Sequence, residues 1–436
     1  MVRHFVQEHR KSKWFVVATS AVVAAVVLSA CGGGSSTSEP SASGSAAPTT
    51  PANAVPASLI GMQVEGVEGE SWPSAPFGAL RFWDNGTAWS QVEVKKGEFK
   101  WDNLENAVTN AEAKGMTDIL QVLGTTPTWA ASKVSEGEYP PIPGAASAPK
   151  DMTDWDNWVT AVVTKYKGRI TSYEIWNEAN LKMFYNGTPT QMAEMTKRAY
   201  DIIKSIDPEA KVVAASPALR LQSAVDRFFP AYLKELAAMN WPVDALSIHT
   251  YPDAKGDPAA RGLLIKGIED VITAAGAPET LELWDTELNY GLGGMGLPKQ
   301  DITGAKAAGF IVRTYIDDLR YGVDRSYWYI WTQTPKEWLG IQAYPGAEAE
   351  QGFFALDNWV TGASYDGCTE TGNAVTCDFS KAGAKWIVAW AETGTEQYTA
   401  PEGTQLVCDP LANCTETTAG TGITLTEVPV RVYLQQ

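Results

Sequence analysis

The chain has 436 residues, 44% of them hydrophobic and 19% charged, which supports a large folded core and argues against global disorder. Its net charge is −17, and the basic residues Arg3, Arg10, Lys11 and Lys13 sit at the N-terminus, so the remainder is more acidic still and an unsuitable partner for nucleic acid. Of three histidines, His4 and His9 lie in the leader. His249 is therefore alone in the body, which excludes a histidine-rich zinc or iron centre.

Residues 1–30 read as an export signal, with a basic region to Lys13, an apolar stretch from Trp14 to Ala30, and small residues before Cys31. Leu28-Ser29-Ala30-Cys31 resembles the lipobox of bacterial lipoproteins. That resemblance implies cleavage before Cys31, lipidation of its sulfur, and an exported protein anchored to the outer face of the bacterial cell membrane. A plain transmembrane anchor is the competing reading, since the stretch matches the shortest spanning helices. Residues 31–57, rich in Gly, Ser, Pro, Thr and Ala, read as a flexible tether.

Strand patterns then occur at 59–66, 78–84, 117–125, 171–179, 211–218, 244–252, 281–290 and 325–333. Amphipathic helical stretches alternate with them at 103–115, 155–168, 191–207, 227–239 and 303–322. This order predicts an α/β fold, a (β/α)₈ TIM barrel over 58–366. A doubly wound open sheet is the alternative, but no G-x-G-x-x-G or G-K-[ST] loop follows a strand. Strand patterns at 386–392, 404–409 and 422–434 predict a small β-rich C-terminal module over 367–436, with a structural role favoured over sugar binding. Proximity pairs Cys368 with Cys377 and Cys408 with Cys414 as disulfides, as export favours. A four-cysteine metal site is the alternative and lacks the usual C-x-x-C spacing.

The active site of such a barrel lies at the C-terminal ends of its strands. Those ends carry Arg81, Asn177, Glu178, His249, Tyr251, Glu287 and Trp331. Carboxylates at the ends of strands 4 and 7 face each other across the mouth and can flank a glycosidic bond. YEIWNEAN (173–180) resembles the Asn-Glu signature of clan A retaining (β/α)₈ glycoside hydrolases, and LWDTELNYG (283–291) resembles their nucleophile segment. The barrel is most similar to family 39, which contains β-xylosidases, α-L-iduronidases and exopolysaccharide glycosidases; TPTWAA (126–131) and the W-D-x-L at 101–104 share the likeness. The resemblance implies hydrolysis of a carbohydrate, with Glu178 as general acid/base and Glu287 as nucleophile. It also implies Asn177 on the sugar 2-hydroxyl, and Arg81 and Tyr251 holding the nucleophile ionised and oriented. No cofactor, metal or obligatory protein partner is implied. Some clan members have a histidine after strand 3, where this chain has Gly124-Thr125-Thr126.

Each residue also has a plainer reading. Glu174 and Asp285 share strand parity with Glu178 and Glu287 and are expected deeper in the barrel, in buried polar networks. His249 is either a site residue or a satisfied core histidine, and Arg81 either serves the site or pairs with Glu174. Pyranose C–H faces stack on aromatic rings. Trp331 is expected as the floor of a sugar site and Trp129 as a wall on a loop. A non-catalytic carbohydrate- or solute-binding surface lipoprotein shares the tether and the aromatics but needs no carboxylate at both strand ends.

Overall fold

The computed structural model describes residues 53–69, 71–253, 255–294 and 298–435. The leader, Cys31 and nearly all of the tether lie outside the described residues. No helix among the described residues is long and apolar enough to cross a membrane.

Eight parallel strands close into a barrel in chain order: β1 (Ile60–Val64), β2 (Ala79–Phe82), β3 (Ile119–Val122), β4 (Ser172–Glu174), β5 (Lys211–Val213), β6 (Ala245–His249), β7 (Glu282–Leu288) and β8 (Arg325–Trp331). Each falls inside a segment predicted from the sequence. The helices around it are α1 (Trp89–Val92), α2 (Asp102–Ala113), α3 (Met152–Tyr166), α4 (Pro189–Ile206), α5 (Gln222–Ala238), α6 (Pro258–Ala274), α7 (Gly304–Tyr321) and α8 (Glu348–Trp359). Local chemistry sets several starts. Asp151, Thr188 and Asp257 accept hydrogen bonds from first-turn amides of α3, α4 and α6, and Pro189 and Pro258 occupy the first position of α4 and α6.

Period-2 alternation divides each strand between two environments. Ala79, Leu120, Val213, Ala245, Trp284 and Tyr327 fill the barrel interior, while Leu80, Tyr173, Leu246 and Trp328 pack outward into the main core. Polar residues continue the inward rows toward the mouth: Arg81 after Ala79, and Ser247 then His249 after Ala245.

Two bulges break this alternation and change what reaches the mouth. Between β6 and β7, Ile248 pairs with Asp285 but His249 pairs with Glu287, so Thr286 is an extra residue. Trp284 points in and Asp285 points out. Thr286 points in, and the bulge turns Glu287 in as well. Asp285 is therefore not deeper in the barrel beneath Glu287. It lies outside the wall, bound by Arg261 of α6, whose Nη2 is 2.8 Å from Asp285 and 2.6 Å from Asp318 of α7. Along β8, Met62 pairs with Trp328 and Val64 with Trp331, so three residues of β8 advance against two of β1. Tyr329 keeps the mouth, and Trp331 is turned into the outer core.

The chain after α8 forms a six-stranded antiparallel sheet from β9 (Ser364–Thr371), β10 (Ala374–Lys381), β11 (Ala384–Ala391), β13 (Thr404–Cys408), β14 (Cys414–Glu416) and β16 (Val430–Leu434). A two-stranded ribbon, β12 (Thr395–Thr399) with β15 (Gly422–Thr426), covers part of it. Trp386, Val388 and Trp390 of β11 face the barrel core, whereas Ala389 and Ala391 face Leu425 of the ribbon. The segment expected as one strand at 422–434 is two strands, because Pro429 stands between them without an N–H to donate. Cys368–Cys377 and Cys408–Cys414 are disulfides, each across a neighbouring strand pair. Arg313 and Arg320 of α7 pair with Glu392 and fasten the module to the barrel.

Candidate active site

Arg81 organises the mouth. It is fully buried, and its Nε lies 2.8 Å from Glu174. Nη1 donates to Glu287 Oε1 at 2.5 Å and to Gln63 Oε1 at 3.2 Å, and Nη2 donates to Asn177 Oδ1 at 2.8 Å. The expected choice between a site role and a pairing with Glu174 is thus resolved as both contacts at once. Tyr251 donates its hydroxyl to the other oxygen of Glu287 at 2.9 Å. Both oxygens of Glu287 are held, which fixes the carboxylate in one orientation.

Glu178 follows β4 with φ 45°, a left-handed conformation uncommon for a residue with a side chain. Its amide donates to Ser216 Oγ at 3.2 Å, and His249 Nδ1 lies 3.2 Å from Glu178 Oε1. One oxygen from each of Glu178 and Glu287 and a nitrogen of His249 lie within 4.8 Å of one another. Thr286 joins the far side of the imidazole: its Oγ1 is 3.0 Å from His249 Nε2 and donates to Glu174 Oε1 at 3.0 Å.

The electrostatics separate the two glutamates. Burial, followed by the charge of Glu287, pushes the Glu178 carboxyl well above the usual carboxylate range. Burial also pushes Glu287 up, to about 7, against the opposing pull of Arg81 and the hydrogen bond from Tyr251. Loss of water thus outweighs the pull of the guanidinium on Glu287. Burial tends to lower the Arg81 pKa, and Glu174 and Glu287 more than reverse this. Burial, and then Arg81, keep His249 well below its ordinary value, so its ring is neutral.

Neutrality fixes the polarity of the chain. Thr286 spends its one hydroxyl proton on Glu174, so it must accept from Nε2–H of His249. Nδ1 then has only a lone pair to offer Glu178. A protonated Glu178 completes the contact by donating to it.

Two aromatic expectations are corrected. Trp331 is fully buried among the core residues and offers no face to a sugar, for the bulge reason given above. Trp129 is half-buried. Its indole N–H donates to the Glu93 carbonyl, and its ring meets Trp89 edge-on and Lys96 from above, so it is not part of the carboxylate cluster. Tyr329, Thr286, Gln63, Asp84 and Arg220 are mouth residues that the sequence reading missed. Polar residues just past a strand end, such as Asp84 after β2, were the available signal. Arg220, after β5, donates from Nη2 to the Leu292 carbonyl, and its buried Nε has no partner. A depression of about 510 Å³ begins at Ala179 and Asn180, immediately after Glu178, and is also lined by Lys133, Lys182 and Arg227.

Glu178, His249 and Glu287 also have the donor types of a metal site. Arg81 and Tyr251 already occupy both oxygens of Glu287, however, and a guanidinium 2.5 Å away opposes a second cation there.

Residues 134–329 match the family described as Glycosyl hydrolases family 39. The matched span contains Asn177, Glu178, His249, Tyr251 and Glu287, whereas Arg81 precedes it. A β-xylosidase of Caldicellulosiruptor saccharolyticus is 30% identical over 207 residues, 42% of this chain, and the chain spans 40% of the length of that curated relative. Among solved structures, a family 39 glycoside hydrolase from Bacteroides cellulosilyticus WH2 superposes with a TM-score of 0.65 at 16% identity, covering 87% of this chain and 81% of that one. A glucosidase from Croceicoccus marinus gives 0.59 at 14% identity, covering 87% and 96%. These structural likenesses establish the barrel fold.

Proposed function

We propose that the chain is a glycosidase that hydrolyses O-glycosyl bonds with retention, with Glu287 as nucleophile and Glu178 as general acid/base. The observation that carries this is the pair itself: two carboxyl groups from opposite strands, β4 and β7, with oxygens inside a 4.8 Å cluster. Retaining enzymes hold their carboxyls about 5–5.5 Å apart, while inverting ones need roughly 6.5–9.5 Å to admit a water between them. Protonated Glu178 gives its proton to the leaving oxygen while Glu287, oriented by Arg81 and Tyr251, attacks the anomeric carbon. Glu178, now ionised, takes a proton from the water that releases the glycosyl group. In this reading Asn177, whose Oδ1 accepts from Arg81, binds the sugar 2-hydroxyl.

The test is hydrolysis across a panel of aryl glycosides and polysaccharides, followed by proton NMR of the first-formed anomer. Turnover with retention, lost in Glu287→Gln and restored by azide in Glu178→Ala, is expected. Net inversion would refute the mechanism. Sugar binding without turnover across the panel would favour a carbohydrate-binding lipoprotein instead. We also propose export and lipid anchoring at Cys31. Labelling with a lipid precursor that is undiminished in Cys31→Ser would remove that reading.

A further inference from the structure

Asp84 is a third carboxylate at the mouth for which double displacement provides no role. It follows β2 with φ 65° and is exposed to solvent. Three groups fix its carboxylate. Tyr139 donates to Oδ1 at 2.6 Å, Tyr329 donates to Oδ2 at 3.3 Å, and Gln63 Nε2 approaches Oδ2 at 3.5 Å. Gln63 is also the acceptor for Arg81 Nη1, so Asp84 stands one side chain away from the arginine that holds Glu287 and Asn177.

Among the described residues, no cation pairs with Asp84. Arg81 is the cation that reaches it electrostatically, and Arg81 is committed to Glu174 and Glu287. Partial loss of water around its carboxyl raises it above its ordinary value against the hydrogen bond from Tyr139, although the residue as a whole stays exposed. A carboxylate offers about four lone-pair positions, more than these three donors fill, and Asp84 remains exposed to solvent. Aromatic rings cluster around its two tyrosine partners: Trp83 and Tyr139 at 6.2 Å, Tyr139 and Phe184 at 5.5 Å, and Tyr251 and Tyr329 at 6.2 Å. Rings supply faces for pyranose C–H groups, and Asp84 supplies an acceptor for the hydroxyls at the ring edge.

We propose that Asp84 reads the hydroxyl groups of the sugar ring bound against Glu287, and that this subsite takes an uncharged glycone and rejects a uronate. The proposal rests on the glycosidase reading above. A neutral sugar brings hydroxyl donors to an acceptor-only group. A uronate carboxylate at the hydroxyl position read by Asp84 meets like charge there while Arg81 is committed to Glu174 and Glu287, and Arg220, after β5, acts on Glu178 and is not among the main charges acting on Asp84.

The experiment is a cycle between Asp84→Asn and glycosides lacking one ring hydroxyl. For the wild type, removal of the hydroxyl that Asp84 reads lowers kcat/KM roughly ten- to hundredfold, as for a hydrogen bond to a charged group. Asp84→Asn lowers kcat/KM on the parent glycoside by a similar factor, while activity on the matching deoxy glycoside is nearly unchanged. The wild-type preference for the parent over the corresponding uronide narrows in the same variant. Equal losses on the parent and on every deoxy glycoside would overturn the proposal and leave Asp84 as a brace for Tyr139 and Tyr329. A wild type that prefers the uronide would overturn the charge argument. Turnover of the parent by the wild type tests the glycosidase reading by itself. Measured as calorimetric affinity for the methyl and deoxy methyl glycosides, the same cycle decides the role of Asp84 without turnover.

Discussion

Nδ1 of His249 lies 3.2 Å from Oε1 of Glu178, and the polarity of that contact is set from the far side of the ring, where Nε2 meets Thr286. On the proposed mechanism, the neutral imidazole would hold the proton of Glu178 in place without removing it and act as a positioning residue for the acid. His249→Ala should lower kcat on glycosides with poor leaving groups by roughly ten- to hundredfold, a part of the about 10²–10⁴ that general acid catalysis supplies. Dinitrophenyl glycosides, which leave without protonation, should be little affected. Leaving-group dependence measured in both proteins checks this, and equal losses on both substrate types would assign His249 to packing alone.

The pH profile follows from the same pair. On the proposed mechanism, activity needs Glu287 ionised and Glu178 protonated, and the two titrate jointly. With Glu287 raised to about 7 and Glu178 raised well above its ordinary value, kcat/KM of the free enzyme should rise as pH passes about 7. It should fall again where Glu178 loses its own proton. An optimum near pH 4 would contradict the buried, coupled pair.

Stability has the opposite sign from that of an ordinary salt-bridged carboxylate. Both glutamates bind protons more tightly folded than unfolded. Their contribution is present below the unfolded value of about 4.3 and is lost as pH rises through the folded values. Glu178→Gln should therefore raise Tm at pH 8 and leave it nearly unchanged at pH 4. A Tm shift equal at both pH values would show that ionisation of Glu178 is not the cause.

Arg81 is fully buried and bonded to four side chains, so its removal leaves Glu174 and Glu287 as uncompensated buried charges. Arg81→Gln should cost about 3–5 kcal/mol by denaturant unfolding, the range for breaking a buried ion pair. Arg81→Lys should recover only part of this, because an ammonium lacks the planar fork that reaches several acceptors at once.

A chelator separates the carboxylate mechanism from a metal-assisted one. Full activity after dialysis against EDTA is expected, because Arg81 and Tyr251 complete the shell of Glu287. Activity lost to chelator and restored by a divalent ion would reassign Glu178, His249 and Glu287 as ligands.

The sequence by itself determined the barrel and the placement of its chemistry at strand ends. Alternating strand and helix periods survive in a single chain, because burial of one face imposes them residue by residue. The segments holding Glu178 and Glu287 were legible for that reason. The exposed, polar strands β9, β12 and β14 were not, because SYDGCTET, TEQYT and CTE bury little and carry no clear alternation.

Tertiary structure decided what parity cannot. The bulge at Thr286 sends Asp285 outward and brings Thr286 and Glu287 inward together, and the bulge in β8 gives the mouth to Tyr329 and the core to Trp331. A bulge depends on pairing with a neighbouring strand, so no single segment announces it. Asp84 is the same case at longer range. Its partners Tyr139 and Tyr329 lie 55 and 245 residues away, and only closure of the barrel sets their hydroxyls around its carboxylate.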